Sequence, residues 1–164
     1  MATVLTDDMK RVVRDQRLGY VATVAPDGLP NVSPKGSLTV WDDSHLVFAD
    51  IESPNTIRNL SANGHVEVNV VDPFTRKGYR FQGRATVLRS GDTYWKVIEH
   101  YKTEGSDIRR VRAVALIEVT GAAALVSPAY TTGLTEQEVA RLWEEFYSKG
   151  KQKMVLDLIP PNDF

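Results

Sequence analysis

Two segments of this chain combine residue types that could hold a small polar molecule. The first is Asn31-Val32-Ser33-Pro34-Lys35-Gly36-Ser37. Proline in a strand removes a ladder donor, and a glycine two residues later frees the backbone. Such an interruption exposes main-chain N–H and C=O groups beside the Lys35 ammonium, which suits a planar heterocycle with acceptor edges. The plainer reading is a sheet corner whose lysine faces solvent. The second segment is Asp50-Ile51-Glu52-Ser53-Pro54-Asn55-Thr56-Ile57-Arg58. A helix begins there directly after a strand, with Ser53, Asn55 and Thr56 at its first turn. Free N–H groups and the positive end of the helix dipole favour a phosphate at such a place, and Arg58 adds charge if it reaches back. The plainer reading is ordinary N-capping by Ser53.

Other chemistry is thinly represented. There is no GxGxxG, P-loop, GxSxG or HExxH pattern. His45, His65 and His100 lack ligand-like spacing, so no metal site is expected. Asp42-Asp43 and Glu144-Glu145 read as solvated surface. Trp143, Phe146 and Tyr147 repeat at helical spacing, which is a packing pattern. Arg76, Lys77, Arg80, Arg84 and Arg89 gather around one long strand, and Arg80, Gln82 and Arg84 share a face by parity. They read as a solvated barrel face, an anion-attracting wall or a contribution to a dimer site. No residue pattern nominates a catalytic acid or base.

The elements that must position these segments are mostly strands. Thr6-Asp7-Asp8 starts a helix whose apolar face is Met9, Val12 and Val13. Residues 18–33 read as a hairpin around Pro26-Asp27-Gly28, followed by strands over 37–41 and 45–49. Ile57, Leu60 and Ala62 mark the short helix after Ser53-Pro54, ended by Asn63-Gly64. Strands follow at 65–71 and 79–88, with Gly83 as a candidate bulge. A helix is expected over 92–104, a strand region over 111–126 interrupted near Gly121, and a helix from Leu134 onward. The pattern yields no conformation for residues 149–164. About six closely spaced strands with peripheral helices imply a mainly β domain, a small antiparallel barrel, rather than a doubly wound parallel sheet.

Composition narrows the class. The chain has 164 residues, 42% hydrophobic and 25% charged, enough apolar matter for one packed domain spanning 1–164. Twenty basic residues against 21 acidic ones give a net charge of −1, which argues against bulk nucleic-acid binding. The absence of cysteine excludes disulfides, Cys-ligated metals, Fe–S clusters and thiol nucleophiles. MATVLTDDMKRVV lacks the apolar stretch of a signal peptide, and no window reaches the length of a membrane span. A soluble, cytoplasmic domain with no membrane partner is expected.

Taken in order, the pieces GYVATVAPDGLPNVSPKG, HLVFADIESPNTIRNL, ANGHVEVNVVD and YRFQGRATV resemble the pyridoxamine 5′-phosphate oxidase-like family. The likeness spans residues 19–85 closely and extends loosely to about 126. It implies a six-stranded antiparallel split β-barrel, a homodimer, and FMN bound at the subunit interface. By position, Val32, Ser33, Pro34 and Lys35 would lie along the isoalloxazine edge, and Phe48, Ala49 and Asp50 on the ribityl side. Ser53, Asn55 and Thr56 would hold the phosphate, with charge from Lys35 or Arg58. The vitamin B6 oxidases carry arginine and lysine immediately after the serine that aligns with Ser53. Pro54 and Asn55 stand there in this chain, and the oxidases' flavin-contacting glutamine would align near Gly78, where this chain has none. The resemblance therefore implies an FMN-dependent oxidoreductase acting on some other small molecule. Its alternatives are a non-catalytic FMN carrier, or a split-barrel relative using deazaflavin or haem.

Overall fold

The computed structural model describes residues 4–148, and residues 149–164 lie outside them. Helix α1 (Asp7–Gln16) starts as expected: Thr6 accepts a hydrogen bond from the Met9 N–H at 3.3 Å, and Asp7 and Asp8 occupy the first turn. It buries Val12 and Val13 and closes one end of the barrel. Strands β1 (Gly19–Val24) and β2 (Pro30–Lys35) form the hairpin, with Gly28 at φ 85° in the turn. Then come β3 (Thr39–Val40), β4 (His45–Asp50), α2 (Pro54–Ala62), β5 (His65–Val71) and β6 (Lys77–Leu88). Helix α3 (Asp92–Thr103), β7 (Ala113–Val126) and α4 (Glu136–Ser148) complete the order, with 3₁₀ turns at Ile108–Arg110 and Pro128–Thr132.

All strand pairings are antiparallel, in one sheet of order β2-β1-β5-β6-β7-β4-β3. This is the curled, split-barrel architecture expected, with seven strands where about six were. The strand expected over 37–41 shrinks to Thr39–Val40 because Ser37 leaves the ladder: its hydroxyl accepts from the Ala49 N–H at 3.0 Å and donates to the Ala49 carbonyl at 3.1 Å. β2 runs two residues past the expected hairpin, straight through Pro34. Because β2 is an edge strand, the missing N–H of proline costs no ladder bond. Nor does β7 break at Gly121. It continues through a register shift in which Gln82 pairs Gly121 and Gly83 pairs Val119, leaving Thr120 as the extra residue.

Two apolar clusters flank β4. Leu46 and Phe48 point into the barrel with Val21, Val68, Phe81 and Ile117. Val47 and Ala49 point outward, under Tyr94, Val97, Ile98 and Tyr101 of α3. That double burial explains why HLVFA reads as a continuous apolar run rather than an alternation. Among the described residues no helix is long and apolar enough to cross a membrane.

Candidate functional site

Alternation along β2 decides which side chains enter the molecule. Asn31, Ser33 and Lys35 face inward, while Val32 and Pro34 face outward opposite Ala22 and Tyr20. Lys35 is therefore not the solvent-facing corner lysine of the plainer reading: it is only 6% exposed. It sits opposite Gly19 in the ladder. Its Nζ donates to the Ser33 hydroxyl and lies 5.5 Å from the Phe48 ring centroid. Burial pushes the Lys35 ammonium below the usual lysine range, and the Asp50 carboxylate partly opposes that shift.

The start of α2 differs from ordinary capping in one respect. Ser53 occupies the N-cap position with Pro54 at the first helical position, but its side chain makes no bond to the helix. Its N–H and its hydroxyl both donate to Asp50 Oδ1, at 2.9 and 2.8 Å. The expected Ser53 side-chain cap is absent because Asp50, buried at 5% exposure, claims that hydroxyl first. Deeper in the first turn, Thr56 turns inward. It is 1% exposed and accepts from Asn31 Nδ2, which also reaches Thr23. Asn59 donates to the same Thr23 hydroxyl at 3.1 Å. This polar cluster fastens α2 to the β1–β2 hairpin.

A groove of about 640 Å³ opens between the end of β2, the β4–α2 loop and the 3₁₀ turn. Ser33, Pro34, Lys35, Ala49 and Ser53 line it together. The other residues suggested by the sequence do not. Val32 is 62% exposed on the outer sheet face, Phe48 is inside the core, and Asp50 lies behind the wall. Asn55 and Arg58 are exposed on α2, and Thr56 is turned into the cluster just described. The groove also uses Tyr101, Asp107, Ile108 and Val111, which the sequence reading missed. Tyr101 donates to the Ser37 carbonyl at 2.7 Å, and burial pushes its phenol up. Asp107 caps the 3₁₀ turn by accepting from the Arg109 N–H at 3.0 Å. An aspartate directly before a short turn was the only local signal for this wall.

The basic stripe on β6 is partly neutralised. Arg80 pairs with Glu67 at 3.0 Å, and Arg84 meets His65 Nε2 at 3.1 Å. No group of three or more metal-ligating side chains occurs among the described residues.

The barrel, with its groove beside a helix start, now meets an independent comparison. The family model described as pyridoxamine 5′-phosphate oxidase matches residues 5–126. The chain belongs to that family. Within it, the chain is similar to HupZ of Group A Streptococcus, at 32% identity and a TM-score of 0.67, covering 74% of this chain and 94% of that one. An FMN-binding protein from Syntrophomonas wolfei shares the fold at 12% identity and a TM-score of 0.62, covering 75% and 87%. HutZ, the heme storage protein of Vibrio cholerae, shares it at 20% identity and a TM-score of 0.58, covering 75% and 96%. No curated protein matches the chain. For this member of the pyridoxamine 5′-phosphate oxidase family, neighbours with different ligands share one barrel, so the ligand must be argued from its own groove.

Proposed function

We propose that this protein binds FMN in the groove beside Lys35 and acts as an FMN-dependent oxidoreductase on a small molecule. The observation that carries the reading is the buried Lys35 on the lining of a groove with apolar walls at Pro34, Ala49, Ile51, Ile108 and Val111. An apolar slot with one fixed cation suits a flat ring system that becomes anionic on reduction. A bound FMN supplies hydride and electron transfer, and the protein supplies position and charge. Ser33, Pro34 and Lys35 hold the ring edge. Ala49 lines the ribityl side, backed by Phe48 and Asp50. The phosphate end would meet the start of α2, at Ser53, Asn55 and the Thr56 N–H. Lys35 keeps a positive charge against the ring edge and excludes a water from that position.

The working unit is a homodimer. Tyr20, Val24 and Val32 lie on one outer sheet face at 48%, 42% and 62% exposure, next to the paired stripe of Glu67, Arg80 and Arg84. A second copy placed on that face would cover the apolar patch and close the open side of the groove.

The visible spectrum after FMN loading and removal of excess tests the reading. Retained bands at about 370 and 450 nm are expected, since they belong to the flavin itself. A colourless protein that leaves FMN fluorescence unquenched overturns it, and a Soret band after haem addition would redirect it. Turnover with NADH, NADPH or a quinone well above free FMN separates an oxidoreductase from a carrier. A monomeric mass by light scattering at micromolar concentration removes the dimer.

A further inference from the structure

Part of the polar start of α2 is already engaged by the protein itself. Asp50 Oδ1 accepts both the N–H and the hydroxyl of Ser53. A hydroxyl carries a single proton, and in Ser53 that proton goes to Asp50, leaving only lone pairs to face an incoming anion. Among the described residues Lys35 is the one cation lining the groove, and its charge is already opposed by the same Asp50 carboxylate. The remaining acids at the rim are engaged on the solvent side: Glu52 accepts from Arg110 at 3.1 Å, and Asp107 from Arg109 at 2.8 Å. Arg112 meets Asp50 only through the backbone, its N–H donating to the Asp50 carbonyl at 2.9 Å.

A phosphate monoester brings about −1.5 to −2 charges at neutral pH. Placed at the start of α2, it would face a buried carboxylate that neither Arg58 nor Arg112 touches among the described residues. In a partly desolvated site that repulsion is only weakly screened. The ring-binding part of the groove feels it far less, because that part is lined by Lys35, whose charge offsets the Asp50 carboxylate.

We propose that Asp50 is the specificity-determining residue of the groove, its carboxylate competing with a ligand phosphate for the start of α2. It sets how strongly the protein discriminates between FMN and riboflavin, which carry the same ring with and without the phosphate. The inference rests on the flavin reading above.

The test compares FMN and riboflavin affinities, by fluorescence quenching, for the full chain and for Asp50→Asn, Glu52→Gln and Ser53→Ala. Asparagine keeps the oxygen that accepts from Ser53 and removes the charge. Asp50→Asn is expected to tighten FMN about tenfold or more and to leave riboflavin within about threefold. Glu52→Gln, at the exposed rim, is expected to shift neither by more than about threefold. Equal shifts for both ligands in Asp50→Asn, or weaker FMN binding, overturn the proposal. If that variant does not fold by circular dichroism, Ser53→Ala decides. An FMN affinity within about threefold of the parent supports the proposal, because the hydroxyl proton belongs to Asp50. A loss larger than that, confined to FMN, makes the hydroxyl a phosphate ligand and overturns it. Failure of the parent chain to bind either flavin is a separate result that removes the flavin reading and this inference with it.

Discussion

The guanidinium carbon of Arg76 lies 3.4 Å from the ring centroid of Trp143, and its Nη2 donates to the Tyr147 hydroxyl at 3.0 Å. One residue in the β5–β6 turn thus clamps the C-terminal helix of the described chain. Arg76 sits at φ 55°, in the left-handed region, where the turn aims its side chain at α4. Lys77 adds an ion pair to Glu136 at 2.6 Å, and Tyr130 donates to the Thr75 carbonyl at 2.6 Å. Since Val139 is the only fully buried residue of α4, this clamp does much of the docking.

Trp143→Ala is expected to loosen α4 and leave the barrel folded. A cation–π contact is worth about 0.5–2 kcal/mol, and Phe146 and Tyr147 would lose their ring contacts with Trp143. Hydrogen exchange checks it. Amides of 139–148 should lose protection, while those of β5 and β6 keep theirs. Equal loss in both regions would show that the helix is integral to the barrel.

Lys35 makes stability depend on alkaline pH in a predictable direction. Its ammonium is held below the ordinary lysine range by burial, with Asp50 acting against that shift. Between the folded and unfolded values the unfolded chain binds more protons, so stability rises with pH through that window. The free energy of the parent minus that of Lys35→Met, from urea unfolding, should therefore move in favour of the parent as pH approaches the ordinary lysine value of about 10.4. A difference that is flat with pH would mean the lysine is as well solvated folded as unfolded.

Gly83 is required for space. A β-carbon there would run into the Glu118 carbonyl and lie 2.8 Å from Ile117 Cγ2, at the register shift of β6 and β7. Gly83→Ala is expected to cost about 1–3 kcal/mol by overpacking. Thermal unfolding measures it, and a loss within experimental error would show that the bulge absorbs the methyl group.

The Asp107 carboxyl is held down to about 2, first by its side-chain bond from Arg109 and then by the Arg109 N–H. A depressed carboxylate stabilises the 3₁₀ turn above its unfolded value of about 3.9 and loses that effect as pH falls toward 2. NMR titration of Asp107 should show this low midpoint, and Arg109→Ala should raise it toward the ordinary range while leaving the backbone cap in place.

Local chemistry made much of this protein legible before its fold. Thr6 and the acids after it mark the start of α1, and Thr135 with Glu138 begins α4 as a reciprocal capping box, at 2.8 and 3.3 Å. Alternation sets the face of each residue in β5 and β6, and the lack of cysteine removes whole classes of chemistry. These signals act between residues a few positions apart, so the order of the chain contains them. The same order placed Ser33, Pro34, Lys35 and Ser53 in two short segments, with Ala49 just before the second, that the fold brings to one groove.

What only the tertiary structure decided involves partners far apart in sequence. Lys35 becomes a buried cation because an edge strand curls over Phe48 and Asp50 of β4. Arg80 loses its character as a bare anion wall because β5 sets Glu67 beside it. Tyr101 and Asp107 join the groove because α3 packs on the outer face of β4 and returns the chain to the rim. Arg76 finds Trp143 across 67 residues. Burial and charge pairing are properties of what the fold surrounds a side chain with. The sequence names the ammonium, the carboxylates and the rings, and the closed sheet settles which of them meet.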